Sequence, residues 1–170
     1  MNGAPLPGTG DMPGLSAPRL TIVVPVHNEE HAIASFMQAM DGALADLDLD
    51  HTILFVDDGS SDGTYGVVKR MAAAGKPVWA LKLSRNFGKE AALTAGIEAA
   101  TGDAVIPIDA DLQDPPDLIP ALIKEWQGGA DVVLARRIDR STDSFLKRKT
   151  AELFYRVNNS MSTVKIPDNV

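Results

Sequence analysis

The sequence predicts an α/β fold in which a mostly parallel sheet is flanked by helices. Three observations carry that expectation. Short β-branched apolar runs alternate with longer segments whose apolar residues recur at helical spacing. The intervening loops are short, which points to parallel neighbours joined by right-handed crossovers. Hydrophobic residues make up 45% of the 170-residue chain, enough for one sizeable core and too many for wholesale disorder.

Each element follows from its own residues. Leu20 to Pro25 (LTIVVP) reads as a strand buried on both faces. Residues 29–46 place Ile33, Phe36, Met37, Met40 and Leu44 on one helical stripe. Thr52 to Val56 is a second buried strand. Asp62 is expected to cap a helix that runs to about Ala74 and closes at Gly75. Val78 to Leu83 is a third strand. Lys89 to Ala100 is an alanine-rich helix closed by Gly102, and Ala104 to Ile108 is a fourth strand. Pro115 and Pro116 open a helix to about Trp126, because proline is tolerated in a first turn. Asp131 to Ala135 is expected as a fifth strand and Phe145 to Asn158 as a last helix. Residues 1–18, with four Gly and four Pro, read as a flexible tail without the basic start and apolar run of a signal peptide.

Composition removes several classes of function. The chain has no cysteine, which excludes disulfides, zinc ribbons, iron–sulfur clusters and a thiol nucleophile. The net charge of −7 and pI near 4.8 argue against a nucleic-acid partner. Crossing a bilayer takes about 20 mostly apolar residues, and no apolar run here exceeds one strand. The charge is uneven, however. Residues 136–170 carry 8 basic and 4 acidic side chains, against 8 basic and 19 acidic before them. The last stretch is therefore suited to an anion or an anionic surface.

In an open α/β sheet, ligands bind beyond the carboxyl ends of the strands. Those ends carry Pro25-Val-His-Asn-Glu29, Asp57-Asp58-Gly-Ser, Ser84-Arg-Asn-Phe-Gly-Lys89 and Asp109-Ala-Asp111-Leu-Gln113. Helix capping accounts for Asp62 and is open for Asp58. Asp109 and Asp111 lie too far before Pro116 to cap the next helix. Two carboxylates at i, i+2 on a sheet edge repel unless a cation sits with them. Hard oxygen ligands suit Mg2+ or Mn2+, with substrate phosphates completing the shell. Lys89 follows a glycine at a helix start, either as a second counter-charge for an anion or as a solvated first-turn lysine. Gly59 and Gly63 let the backbone turn tightly after the second strand.

Four ordered motifs, Val24-Pro-Val-His-Asn-Glu-Glu30, Val56-Asp-Asp-Gly-Ser-Ser-Asp-Gly-Thr64, Asn86-Phe-Gly-Lys-Glu-Ala-Ala-Leu93 and Asp109-Ala-Asp-Leu-Gln-Asp-Pro-Pro116, resemble the successive motifs of the family-2 glycosyltransferases. The last is most similar to the polyprenyl-phosphate branch. The resemblance covers about residues 20–170. It implies a Rossmann-like GT-A fold, a nucleotide-sugar donor (UDP-sugar favoured, GDP-mannose as the alternative), Mg2+ or Mn2+, and inversion at the anomeric carbon. It places Pro25, His27, Glu29, Asp57, Asp58, Lys89, Asp109 and Ala110 at the nucleotide, with Asp57 near the base. It places Asp109, Asp111 and Gln113 at the metal, makes Asp111 and Arg136 catalytic, and sets Arg136 and Arg148 at an acceptor phosphate. Position 27 departs from the commoner Tyr or Phe; a histidine there either stacks on the base or is a loop residue without a role.

The same resemblance implies a polyprenyl phosphate acceptor and work at the cytoplasmic face of the cell membrane. Residues 19–135 would be the nucleotide-sugar and metal-binding half. Residues 136–170 would be the start of an acceptor-side region, truncated where the family's further acidic motif begins. The basic helix from Phe145, with Phe145, Leu146, Leu153, Phe154 and Val157 interleaved, reads either as a membrane-surface helix or as the solvated face of a core helix. A transferase acting on a sugar hydroxyl and a nucleotide-sugar-binding module without turnover are the competing readings. A dehalogenase-type phosphatase fits less well: its Asp-x-Asp follows the first strand and wants Thr or Val where Gln113 stands. The glycine fingerprint of dinucleotide enzymes and the P-loop are both absent.

Overall fold

The computed structural model describes residues 18–135. The chain divides between Asp117 and Leu118 into two compact units. The first holds a four-stranded, all-parallel sheet: β1 (Arg19–Val26), β2 (Asp50–Asp57), β3 (Val78–Lys82) and β4 (Ala104–Pro107), in the order β3-β2-β1-β4. Helices α1 (Ala32–Leu44), α2 (Thr64–Ala73) and α3 (Lys89–Ala99) make the crossovers.

Strand alternation divides the core between two faces. Val24 pairs in register with Phe55, whose ring meets Phe36 of α1 edge-on at 5.8 Å between centroids. One residue along, Val23 pairs with Leu54 and faces α3 on the opposite side, where Val23, Leu54, Val56 and Ala92 form a buried cluster. Both faces of β1 are covered, which is why its sequence shows a continuous apolar run instead of alternation. Gly96 sets how closely α3 approaches. A Cβ there would lie 2.8 Å from Val56 Cγ2 and closer still to Val23 Cγ1, so any larger residue would push the helix off the sheet.

Successive connections run outward from β1 to β2 to β3, and then α3 carries the chain back across to β4 on the other side of β1. The order reverses at β1, so the loops after β1 and β4 diverge there and leave a crevice at the strands' carboxyl ends.

One 3-10 turn at Pro116–Leu118 spans the division, and α4 (Ile119–Gln127) follows it in the second unit. A single helix from Pro116 was expected. Pro120 explains the difference: it has no N–H to donate to the carbonyl of Pro116, so the α-helical ladder starts later. The expected fifth strand is not formed. Residues 131–135 are irregular, and Val132 and Leu134 are 76% and 59% exposed. Their β-branched character favours extension, but no described strand pairs with them, and a strand needs its ladder. The expected tail, the basic helix from Phe145, Arg136 and Arg148 lie outside the described residues. Among those described, no helix is long and apolar enough to cross a membrane.

Candidate functional site

A cleft of about 280 Å³ opens at the reversal point. The exit of β1 contributes Pro25, Val26, His27 and Glu29. Asp58 follows β2; Asn86, Gly88, Lys89 and Ala92 come from the β3–α3 loop and the first turn of α3. Asp109, Ala110 and Asp111 follow β4. Eight of the residues expected at the nucleotide or metal thus converge: Pro25, His27, Glu29, Asp58, Lys89, Asp109, Ala110 and Asp111.

Two expected residues sit elsewhere. Asp57 is 2% exposed and does not line the cleft. Its Oδ1 accepts from the N–H of Ser60 at 3.0 Å, while Oδ2 has no hydrogen-bond donor and lies 3.6 Å from Lys82 Nζ. Gln113 is exposed outside the lining; its backbone N–H donates to Asp111 Oδ1 at 3.0 Å. That bond closes a tight turn in which Leu112 adopts φ of 59°, an orientation that costs a β-carbon residue about 1–2 kcal/mol.

One wall is held by a carboxylate clamp. Asp58, 3% exposed, accepts from the N–H of Phe87 at 2.8 Å through Oδ1 and from the N–H of Gly88 at 2.9 Å through Oδ2. Capping was one reading of Asp58, and these bonds do serve the entry to α3. They reach it from β2, however, across thirty residues of sequence. The two loops touch so closely that a Cβ on Gly59, whose φ is +65°, would lie 2.6 Å from the backbone nitrogen of Asn86.

His27 ties the same loops from above. Its Nδ1–H donates to the carbonyl of Asp58 at 2.8 Å. Nε2 then accepts from the side-chain amides of Asn28 and Asn86, each at 3.1 Å. Both amides are fixed at their other ends. Asn28 Oδ1 accepts from the N–H of Ser61 at 2.9 Å, and Asn86 Oδ1 from the N–H of Gly88 at 3.0 Å. His27 is therefore more than a loop residue without a role. The edge of the ring is a junction for three loops, and Asn86, which sequence reasoning left without a role, is part of it. Its place in the motif after β3 was the available signal.

The corner behind Glu29 is held by Asp62. Its Oδ1 accepts from the N–H of Thr64 at 3.0 Å and from the Thr64 hydroxyl, while that hydroxyl accepts from the N–H of Glu29 at 2.8 Å. Asp62 thus caps α2 from one residue further out than expected, since Gly63 holds the N-cap position. The Thr64 hydroxyl bond keeps its carboxyl below the usual range, against some desolvation.

The opposite wall carries the charge. Lys89 Nζ ion-pairs with Asp109 Oδ2 at 2.5 Å. This hydrogen bond, with the Coulomb pull of Asp109 and Asp111 outweighing desolvation, holds the ammonium above the usual lysine range, so it is charged at neutral pH. Among the described residues no three His, Cys, Asp or Glu side chains converge as a metal cage. Two carboxylates facing a cleft nevertheless fit Mg2+ or Mn2+, which take few protein oxygens when phosphate oxygens complete the shell. The cleft therefore offers a carboxylate pair, an exposed positive charge and the N-terminus of α3, groups able to receive a cation and an anion.

Residues 21–170 match the family model of Glycosyl transferase family 2. The bactoprenol glucosyl transferase of Shigella phage SfX is 51% identical over 152 residues, covering 89% of this chain and 50% of that protein. The chain thus spans about half the length of the curated relatives it matches. Among solved structures, glucosyl-3-phosphoglycerate synthase from Mycobacterium tuberculosis, in complex with Mn2+, UDP and glucosyl-3-phosphoglycerate, is 26% identical with a TM-score of 0.59 over 92% of this chain and 58% of that one. The mannosyltransferase PcManGT from Pyrobaculum calidifontis, in complex with GDP-Man and Mn2+, is 26% identical with a TM-score of 0.56 over 71% of this chain and 36% of that one.

Proposed function

Because the chain belongs to glycosyl transferase family 2, we propose that it is the donor-binding part of an inverting transferase that moves a hexose from a UDP-sugar to a polyprenyl phosphate at the cytoplasmic face of a membrane. Glucose is the sugar favoured by the similarity to the bactoprenol glucosyl transferases. The observation that carries the reading is the Asp109–Asp111 pair, with Lys89 ion-paired to Asp109, lining the cleft where the strand order reverses. UDP and Mn2+ in one neighbouring structure support the nucleotide and the metal, and GDP-Man in the other makes GDP-mannose the competing donor.

In this mechanism Asp109 and Asp111 would hold Mg2+ or Mn2+, which when bound would offset the charge growing on the leaving diphosphate, and Gln113 would act through its N–H on Asp111 Oδ1. Lys89 adds a second positive charge at the same place. His27, Asn86 and Asp58 fix the loops that receive the nucleotide, so little ordering remains to be done on binding. Val26, Ala92 and Ala110 give the cleft apolar lining next to these charges. The acceptor removes the need for a protein base. A phosphate monoester has a second pKa of about 6, so at pH 7 its oxygen is already an anion able to displace the nucleotide. Arg136 and Arg148, in the basic stretch that follows, are proposed to bind that phosphate.

Titration calorimetry with UDP-glucose, with and without Mn2+, tests the donor assignment. Asp111→Asn should abolish the metal-dependent part of the affinity and leave the melting temperature within about 2 °C, because Asp111 bonds only within its own exposed turn. Unchanged metal-dependent affinity would remove Asp111 from the metal. Transfer to a soluble sugar with none to undecaprenyl phosphate would overturn the acceptor assignment.

A further inference from the structure

We infer that Lys89 is an exchangeable cation: it competes with the metal for Asp109 and passes to the diphosphate when the metal takes that carboxylate. The inference rests on the metal and donor reading above and specifies how that site loads. Three observations carry it. Lys89 Nζ is on Asp109 Oδ2, one of the two carboxylates that fit the metal, so ammonium and metal compete for one oxygen. The lysine is 58% exposed and the pair lies in an open cleft, so breaking it costs little; exposed pairs are worth about 0–1 kcal/mol. Lys89 is also the first residue of α3, and a helix N-terminus attracts anions, so the released ammonium would remain beside the incoming diphosphate.

The charge count explains what the exchange does. Asp109, Asp111 and Lys89 together carry one net negative charge. A divalent ion that enters alone must displace the ammonium and leave it with no partner. A divalent ion that enters with a diphosphate gives the ammonium a new one. Lys89 therefore weakens binding of the bare metal and strengthens binding of the metal–nucleotide, coupling the two by a reciprocal factor.

The test is a titration of the 170-residue chain with Mn2+, following free Mn2+ by electron paramagnetic resonance with and without saturating UDP. It is run on the wild type, Lys89→Met and Lys89→Arg. In Lys89→Met, Mn2+ alone should bind about threefold to fivefold more tightly, the factor for losing one exposed ion pair. The tightening of Mn2+ by UDP should shrink by about tenfold or more, the effect of losing one charge-assisted contact. Lys89→Arg should keep most of the coupling. Unchanged or weaker binding of Mn2+ alone in Lys89→Met, with normal circular dichroism, would overturn the exchange. Absence of Mn2+ binding in the wild type, with or without UDP, would instead remove the metal reading on which the exchange rests.

Discussion

Replacing Asp58 separates its two possible roles, as a clamp between loops and as a ligand for the nucleotide. Its carboxylate is almost fully buried and each oxygen holds one backbone amide, of Phe87 and of Gly88. Asparagine keeps one oxygen and turns a donor toward the other amide. The better arrangement leaves the oxygen on Phe87, because the N–H of Gly88 can still reach Asn86 Oδ1. Asp58→Asn then loses one charge-assisted bond, about 2 kcal/mol, and Asp58→Ala loses both, about 4 kcal/mol. For a chain of this size about 2–4 °C accompanies each kcal/mol, so the melting temperature should fall by about 4–8 °C in Asp58→Asn and twice that in Asp58→Ala. Thermal melts followed by circular dichroism, paired with UDP titrations well below the transition, read the two roles apart. The clamp predicts a graded loss of stability with the alanine variant worse. Melting temperatures within about 2 °C of wild type in both variants, with UDP affinity abolished, would refute it and make Asp58 a ligand.

Gly96→Ala should destabilise the chain by about 1 kcal/mol, the overpacking against Val23 and Val56 exceeding the better helix propensity of alanine. A double-mutant cycle with Val23→Ala, read by urea denaturation, should recover at least about 0.5 kcal/mol as coupling. The carboxyl of Asp62 is held below its usual range, so its contribution to stability is present above about pH 4 and is lost as pH falls through the lower folded value. Asp62→Asn should flatten that acid limb in a series of urea midpoints, leaving the slope above pH 5 unchanged.

The parts legible in the sequence were those whose cause is local. β1 and β2 announce themselves because each carries a continuous apolar run, Ile22–Val24 and Ile53–Val56, whose residues are buried. The site carboxylates Asp109 and Asp111 were found because no helix start was near enough to use them as caps. Residues 131–135 misled for the converse reason. Val132, Val133 and Leu134 carry strand propensity, but pairing is supplied by another segment, and propensity does not encode whether one is offered. Asp57 and Asp58 could not be distinguished either. They are adjacent in sequence, yet one faces Lys82 and the other faces the cleft, and only the register of the sheet edge decides which. The junction at His27 was beyond reach for a related reason: its partners Asp58 and Asn86 are 31 and 59 residues away.

The two walls of the cleft differ in a way that follows from their chemistry. On the side formed by β1, β2 and the β3–α3 loop, polar groups are satisfied by one another. Asp58 holds two amides, His27 holds one carbonyl and two side-chain amides, and those amides are anchored in turn. Losing the Asp58 carboxylate or the His27–Asp58 bond leaves a donor or acceptor without a partner in a part-buried place, which is costly, so these three bonds are what stiffens this wall. On the β4 side the bonds are an exposed ion pair and a turn closed by Asp111. Those interactions are cheap to exchange because water can take either partner. On the proposed function, a donor that brings its own metal and diphosphate would meet a wall stiffened at Asp58 on one side and exposed, exchangeable charges on the other. Binding would move ions at Asp109 and Lys89 without requiring the loops around His27 to rearrange.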